Sequence, residues 1–506
     1  MSSPPETPNF AEKYRALRPF AVATTLSADA TTAVAIMAKI VERAAGECFL
    51  MEWVERGVAR SRYTLVGLMP DLIWRCRNGR AETSRRDAGR ADEFIPCADA
   101  PLTSLRATIA ASRMALPASL PAASVGLFGY LSYDAARYMY DVPNTNPDVL
   151  GIPDGVFMRP GIVLVFDHAT DMVTVVTPVW PDAGTSPDQA AQRTRRNIDM
   201  ALDLMRAPAA ATAVPSPSGA RSGSIRTNMS AEEFRDNFAR VSRKIPAGDV
   251  SQVGISLRFT RPISAPPFAI YRALRQLNPS PFMFYFDLVD FTIFGASPRL
   301  MVSVAGDRVT IRPIGGTRPR GASPEADRQN AQDLLGSDKE TTEHLMNFDV
   351  GYRDMEKVAK RDSIKITEKM QLEYFSHVIH LVSTIEGVLD DKHDVVDALA
   401  AAFPAGTVVG SPKNRAMAVI DELEKERRSI YGGSVGYFAA DGSMENYIAI
   451  RTALVRDGLM HVQAGAGIVA DSDPAAEYQE IQHKAGALFR AADNAERGVP
   501  PTTSGL

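Results

Sequence analysis

Glu340 and Glu343 stand three residues apart in the polar stretch 338–354, DKETTEHLMNFDVGYRD, and Glu477 and Glu480 repeat that spacing in 462–484. On a helix this interval puts both carboxylates of a pair on one face. Two such pairs brought together would make an oxygen-ligand site for Mg²⁺, which takes few carboxylates and completes its shell with water and substrate oxygens. Either pair alone reads equally well as the solvated face of a helix. Arg451 follows the apolar run Ile448-Ala449-Ile450, so its guanidinium is expected to enter a cleft and meet a carboxylate. Gly465-Ala466-Gly467 would let backbone N–H groups approach an anion closely, or would serve a tight structural turn. His380 lies among Val378, Ile379, Leu381 and Val382, a setting that usually means a histidine satisfied within the core. Further polar, glycine-rich segments interrupt apolar surroundings at 311–321 (IRPIGGTRPRG), 403–417 (FPAGTVVGSPKNRAM) and 431–437 (YGGSVGY).

The rest of the chain must position these groups. Its 506 residues are 45% hydrophobic and 23% charged, enough for a large core in two or more domain-sized units. Sixty acidic against 56 basic side chains give a net charge of −4, without the basic excess of a nucleic-acid binder. Cys48, Cys76 and Cys97 cannot all pair and show no C-x-x-C spacing, which favours a reduced, cytoplasmic compartment. The start, MSSPP, lacks a basic segment followed by an apolar run, and no stretch approaches the ~18 apolar residues that span a bilayer. No membrane association is expected.

Residues 207–224, APAAATAVPSPSGARSGS, read as a linker between regions 10–206 and 225–495; a long surface loop is the alternative. Residues 84–92 and the tail from Val499 also look loose. Ser230 and Glu233 form a capping box ahead of Phe234, Phe238 and Val241 at helical spacing, and 246–249 (PAGD) ends that helix. A strand follows: Val253, Ile255, Leu257 and Phe259 face one way, and Gln252, Gly254, Ser256 and Arg258 the other. Strands are also expected at 126–133, 161–166, 292–303, 307–314, 433–439 and 459–463, with long helices near 326–360 and 474–493. Strand runs separated by helices, without a regular βαβ beat, give an α+β class.

Taken in order, the motifs resemble the chorismate-utilising enzyme family, most closely its anthranilate synthase large-subunit (component I) branch. The residues that carry the likeness are Asn278-Pro279-Ser280-Pro281-Phe282-Met283-Phe284, Ile314-Gly315-Gly316-Thr317-Arg318, Glu343-His344-Leu345-Met346, His380-Leu381-Val382-Ser383, Pro404-Ala405-Gly406-Thr407, Tyr431-Gly432-Gly433, Ile450-Arg451-Thr452 and Gln463-Ala464-Gly465-Ala466-Gly467. The likeness runs from about residue 10 and is strongest after 228. It implies a large two-layer antiparallel β-sandwich core flanked by helices, with a regulatory-type site in the N-terminal region. It further implies conversion of chorismate and ammonia to anthranilate and pyruvate, in tryptophan biosynthesis. Glu343 and Glu480 would hold Mg²⁺ against the ring carboxylate, supported by Glu340 and Glu477. Arg451, Tyr431 and the amides of Gly465, Ala466 and Gly467 would clamp the other carboxylate, with Thr317, Thr407, His380 and Lys484 completing the pocket.

The likeness also marks departures. Gln252 occupies the position where water-activating relatives have lysine, and Gly315 the position where aminodeoxychorismate synthases have lysine; both favour the anthranilate branch. The family's Gly-Ala-Ser-Pro-Glu reads Gly295-Ala296-Ser297-Pro298-Arg299. That glutamate is the expected general acid, and an arginine cannot donate such a proton near neutrality. Arg299 therefore raises two alternatives: altered chorismate chemistry, such as formation of an aminodeoxyisochorismate, or a non-catalytic chorismate-binding subunit. The family's Leu-Leu-Glu-Ser reads Leu50-Met51-Glu52-Trp53. With Pro281, Phe282 and Met283, Glu52 and Trp53 fall at the tryptophan-type inhibitor site, which an indole side chain would crowd. The cysteines stand in Glu-Cys-Phe, Arg-Cys-Arg and Pro-Cys-Ala contexts, none on the glycine-rich turn of a glutaminase nucleophile. Ammonia would then come free or from a separate glutamine amidotransferase subunit (component II).

Overall fold

The computed structural model describes residues 9–43, 46–53, 62–86, 93–208, 223–375 and 378–498. Most of the expected linker (209–222), most of the loose 84–92 segment (87–92) and the tail from 499 lie outside the described residues.

Among the described residues, 22 strands join one sheet in which every registered pair is antiparallel. The strands Tyr63–Arg77 and Gly155–Asp167 pair along most of their length. From them one arm of the sheet runs through Cys48–Trp53, Phe282–Asp287, Thr292–Ser297, Thr452–Arg456 and Leu459–Ile468 to Gln252–Pro262. The other arm runs through Gly126–Leu131, Ser434–Ala439, Met444–Ile448, Leu300–Ala305 and Arg308–Ile311 to Val378–Val388. Strands from both sides of residues 209–222 hydrogen-bond directly, as in Phe282↔Trp53 and Ser434↔Leu131.

Side-chain alternation explains the layering. Phe49 and Met51 enter one buried cluster with Phe128, Phe282 and Phe284, and no α-helix contributes to it. Cys48 and Leu50 point the opposite way, into a cluster shared with helices such as Ala33–Glu42 and Pro267–Leu277. One core therefore lies between the sheet layers and a second lies under the helices, the sandwich that the motifs implied.

The capping box forms as read: Ser230 Oγ accepts from the N–H of Glu233 and the Glu233 carboxylate accepts from the N–H of Ser230, opening the helix Ala231–Lys244. Three long elements are interrupted. The helical stretch near 326–360 is two helices, Pro324–Gly336 and Asp338–Glu356, because Ser337 takes an extended conformation and caps the second through the N–H of Glu340. The run 292–303 breaks at Pro298 and Arg299, and 307–314 breaks at Arg312 and Pro313, where proline cannot donate to a ladder. The polar face of the strand Gln252–Pro262 is buried rather than solvated, so Gln252, Ser256 and Arg258 require partners inside the protein.

Candidate active site

The break at Pro298 and Arg299 and the end of the strand Met444–Ile448 lie side by side. Ser297 Oγ donates to the Ile448 carbonyl (2.7 Å), Ile448 N–H donates to the Arg299 carbonyl (3.0 Å) and Ala296 N–H donates to the Arg451 carbonyl (3.2 Å). These bonds fix the backbones that carry both arginines. Arg451 has φ 50°, a left-handed conformation that a non-glycine residue holds only when its surroundings impose it. Both side chains are partly buried, and among the described residues neither guanidinium has a carboxylate within ion-pair distance. Loss of hydration first, and the Arg299 charge second, lower the Arg451 pKa to about 10.

Arg451 lines a cavity of about 260 Å³ with Asn278, Pro281, His380, Glu480 and Lys484. His380 Nδ1 lies 3.0 Å from the Gly316 carbonyl and 3.1 Å from Thr317 Oγ1. A carbonyl only accepts, so Nδ1 carries the proton and Nε2 keeps a lone pair; that buried atom has no protein partner. Burial lowers the His380 pKa to about 4, which keeps the ring neutral near pH 7. Thr407 Oγ1 is likewise buried and unpartnered, beside a small cavity shared with Arg299 and Asn347.

Of the four carboxylates, two are engaged elsewhere. Glu340 meets Arg318 Nη1 at 2.8 Å and accepts from the N–H of Thr317, while Glu477 accepts from Ser472 Oγ at 2.9 Å. Glu480 pairs with Lys484 (2.6 Å), whose ammonium also donates to the Gly465 carbonyl (3.0 Å). Glu343 has no hydrogen-bond or ion-pair partner among the described residues. Burial raises its pKa, the Arg299 charge opposes that rise, and Glu340 and Glu480 add to it. Among the described residues no three His, Cys, Asp or Glu side chains converge as a metal cluster. A desolvated, unpartnered Glu343 with Glu480 in its field is nevertheless a donor set that suits a hard cation.

Opposite, the strand Leu459–Ile468 pairs with Gln252–Pro262. The Gly465 carbonyl faces Lys484, so the main chain of Gly465, and by the two-residue period that of Gly467, turns away from the paired strand and toward the site. Ala466 faces the core. Tyr431 is buried and burial pushes its pKa up to about 12, so the phenol remains a donor. An ideal Cβ on Gly467 would come within 2.2 Å of Gln252 Nε2, so the glycine makes room for that side chain. Gly315 does the same for the main chain of His344, at 2.8 Å, and so lets the Asp338–Glu356 helix lie close to the sheet.

Sequence reasoning missed the support beneath Tyr431. Glu424 accepts from the N–H and Oγ of Ser256 (3.0 and 2.7 Å) and holds Arg428 (2.6 and 2.9 Å). Arg428 also donates to the carbonyls of Val408 and Gly254, and its guanidinium lies over the rings of Tyr133 and Tyr431 at 4.8 and 5.6 Å. The i,i+4 spacing of Glu424 and Arg428 was the available signal.

The residues expected at an inhibitor site also meet. Trp53 and Glu52 pair in register with Phe282 and Met283, next to Pro281. The Trp53 ring lies 5.6 Å from that of Phe282 and 5.9 Å from that of Tyr437, between centroids. Glu52 turns to the other face and binds Tyr271 Oη (2.6 Å) and Arg275.

A family model described as chorismate binding enzyme matches residues 70–490. Anthranilate synthase component 1 of Cereibacter sphaeroides is 46% identical over 93% of this chain and 94% of its own length. That of Thermus thermophilus is 40% identical over 94% and 98%. The crystal structure of anthranilate synthase component I from Streptococcus pneumoniae superposes with a TM-score of 0.74 at 31% identity, covering 86% of this chain and 94% of that one. The menaquinone-specific isochorismate synthase of Escherichia coli shares the fold at 18% identity (TM-score 0.69, 96% and 99% covered). With most of its length matched in sequence and in fold, the chain belongs to the chorismate binding enzyme family.

Proposed function

We propose that this chain is the large subunit of an anthranilate synthase, a lyase of tryptophan biosynthesis that converts chorismate and ammonia to anthranilate, pyruvate and water. The observation that carries the reading is Arg451: a guanidinium in strained backbone, without a carboxylate of its own, facing a cavity shared with a neutral His380. Relatives named anthranilate synthase component 1, matched over nearly their whole length, support the same branch.

In this reading Arg451 and the N–H groups of Gly465 and Gly467 bind the carboxylate of the enolpyruvyl group, and Tyr431 Oη donates to the same end. His380 Nε2 is placed to accept a hydrogen bond or a proton from the ring substituents. Mg²⁺ held by Glu343 and Glu480 would neutralise the ring carboxylate and orient the ring. Fixing both ends of a dianion in a partly desolvated cleft leaves orientation and proton transfer as the work of the side chains. Gln252 lies against Gly467 and cannot act as a base toward water, which suits ammonia as nucleophile. A separate glutamine amidotransferase subunit would supply that ammonia. The three cysteines are unpaired, two of them buried, in keeping with the cytoplasm, and among the described residues no helix is long and apolar enough to cross a membrane.

The test is purified protein with chorismate, Mg²⁺ and ammonium, followed by anthranilate fluorescence and chromatography. Anthranilate and pyruvate in equal amounts support the reading. An amino-dienoate product would select altered chorismate chemistry, and binding without turnover a non-catalytic subunit.

A further inference from the structure

A second cavity, of about 400 Å³, lies at the far end of the strands that reach the active site. Pro281, Pro298 and Arg451 line the active-site cavity, and each stands at one end of a strand: Phe282–Asp287, Thr292–Ser297 and Thr452–Arg456. At the other end of the same three strands Leu288, Phe291 and Arg456 line the second cavity. The strands are neighbours in the sheet, so the two cavities stand roughly 16–20 Å apart. Part of the second wall is apolar, with Ile73, Val156, Leu288 and Phe291 buried. The polar part is mainly basic: Arg75, Arg77, Arg86 and Arg456, against the carboxylates of Glu47 and Asp290. Arg86 is held by Glu47, and Arg75, 3.4 Å over the Phe94 ring, by Glu82. Asp290 is an exposed turn residue. Among the described residues Arg77 has no carboxylate within ion-pair distance, and Arg456 reaches only Asp457, at 3.5 Å and 85% exposed. Both guanidiniums donate instead to one neutral oxygen, the Gly151 carbonyl, at 2.6 and 2.9 Å, and Arg456 also to that of Leu150. Two cations gathered on one carbonyl lack a counter-charge that a carboxylate between them would supply. Val289 at the cavity has φ 66°, an outlier for a β-branched residue, and is 65% exposed. Strain of that kind, holding an apolar side chain in solvent, is characteristic of ligand clamps.

We propose that this cavity is a second ligand site, separate from the cleft of Arg451, that takes a small aromatic carboxylate. The carboxylate pairs with Arg77 and Arg456, and the ring lies against Leu288, Val289 and Phe291. The volume suits one such molecule, since ligand cavities run from about 300 to 1,000 Å³. A bare inorganic anion would leave the apolar wall uncovered, and an uncharged ring would leave both guanidiniums without a counter-charge. None of these residues belongs to the machinery assigned above, so the inference goes beyond the chorismate reading and stands without it.

The probe is 4-iodobenzoate. Crystals of the full-length chain soaked in it should show the anomalous signal of iodine in this cavity, beside Leu288 and Phe291. In solution, calorimetry with excess chorismate and no ammonium covers the Arg451 cleft and reads the second site. Binding should persist there and fall by at least about tenfold in the R77Q/R456Q double variant. It should be weaker by a similar factor for 4-iodobenzyl alcohol, which keeps the ring and lacks the charge. Iodine found only in the Arg451 cleft would overturn the inference, as would full displacement of the probe by chorismate or binding at crystal concentration only. Equal affinity in the double variant, or for the alcohol, would do the same. Arg77 and Arg456 also hold the carbonyls of Leu150 and Gly151, so if the double variant fails to fold, the iodine position and the comparison with the alcohol, both on the unaltered chain, decide the matter.

Discussion

Arg428 and Glu424 form a doubly bonded ion pair one helical turn apart in spacing, with side chains 1% and 4% exposed, although the helix Lys413–Leu423 has already ended. The pair is a joint rather than a surface ornament. Glu424 fastens it to Ser256 on one strand, and Arg428 fastens it to the carbonyls of Gly254 and Val408 and to the face of Tyr431. Breaking a buried pair leaves the surviving charge without a counterpart, which costs about 3–5 kcal/mol.

Arg428→Met should therefore lower the free energy of unfolding by about that amount in urea titrations, since it strands the Glu424 carboxylate and frees two carbonyls. Glu424→Gln keeps the shape and one acceptor and should cost less. Arg428→Met should also weaken chorismate binding, because Tyr431 loses the cation against its ring. Unchanged stability in Arg428→Met would show that the pair contributes nothing net.

Gly465→Ala is the sharpest local probe of the carboxylate clamp. An ideal Cβ there would lie 2.6 Å from Tyr431 Oη and 2.7 Å from the Ile255 carbonyl. The phenol can retreat, but the carbonyl belongs to a paired strand and cannot move far. The substitution should raise KM for chorismate more than tenfold. Adding Tyr431→Phe should not rescue it, because the backbone contact remains. Full rescue by the double variant would assign the whole effect to the phenol.

The contrast between these two probes shows what a sequence carries. The Ser230–Glu233 box, the two alternating faces of Gln252–Pro262, and the cleft-facing setting of Arg451 are local patterns, and each appears in the fold as read. The partnership of Ser256 with Glu424 spans 168 residues, and no periodicity announces it. For the same reason spacing alone groups Glu340 with Glu343. The structure turns it to Arg318, a residue on a strand that packs against that helix. Helical spacing sets which side chains share a face, and only the packing of the neighbouring strand decides which partner each one finds.

Acid should destabilise the protein through its buried histidines. His344, His380 and His461 each have pKa values lowered to about 4, in every case first by burial. Between their ordinary value of 6.5 and about 4 the unfolded chain binds protons that the folded chain refuses, so stability falls as pH falls through that window. Below about pH 4 these groups add no further slope. Urea midpoints measured from pH 7.5 to 4 should show the decline, and His344→Gln, which keeps a hydrogen-bonding group toward Ser383, should make it shallower. An unchanged slope in that variant would remove His344 from the account.

Trp53 makes the last prediction. Its indole lies between the rings of Phe282 and Tyr437, and the carboxylate of Glu445, held by Tyr447 at 2.9 Å, faces the same side. The family likeness implies a tryptophan-type inhibitor site at this place, and on that reading the chain fills it with an indole of its own. Free tryptophan would have to displace a side chain that is covalently tethered and packed between two aromatic rings, so feedback inhibition should be weak or absent. Trp53→Ser removes that occupant and opens a polar-lipped slot beside Glu445. Anthranilate formation in this variant should become sensitive to tryptophan at concentrations that leave the unaltered chain active. Because the indole lies in the core between the sheets, the variant should also lose stability, by about 3 kcal/mol or more for so large a truncation, and tryptophan should restore part of that loss by binding the folded state. Thermal unfolding with and without tryptophan therefore reads the site independently of activity. Half-maximal inhibition of the unaltered protein at low micromolar tryptophan would refute the occupied-site account.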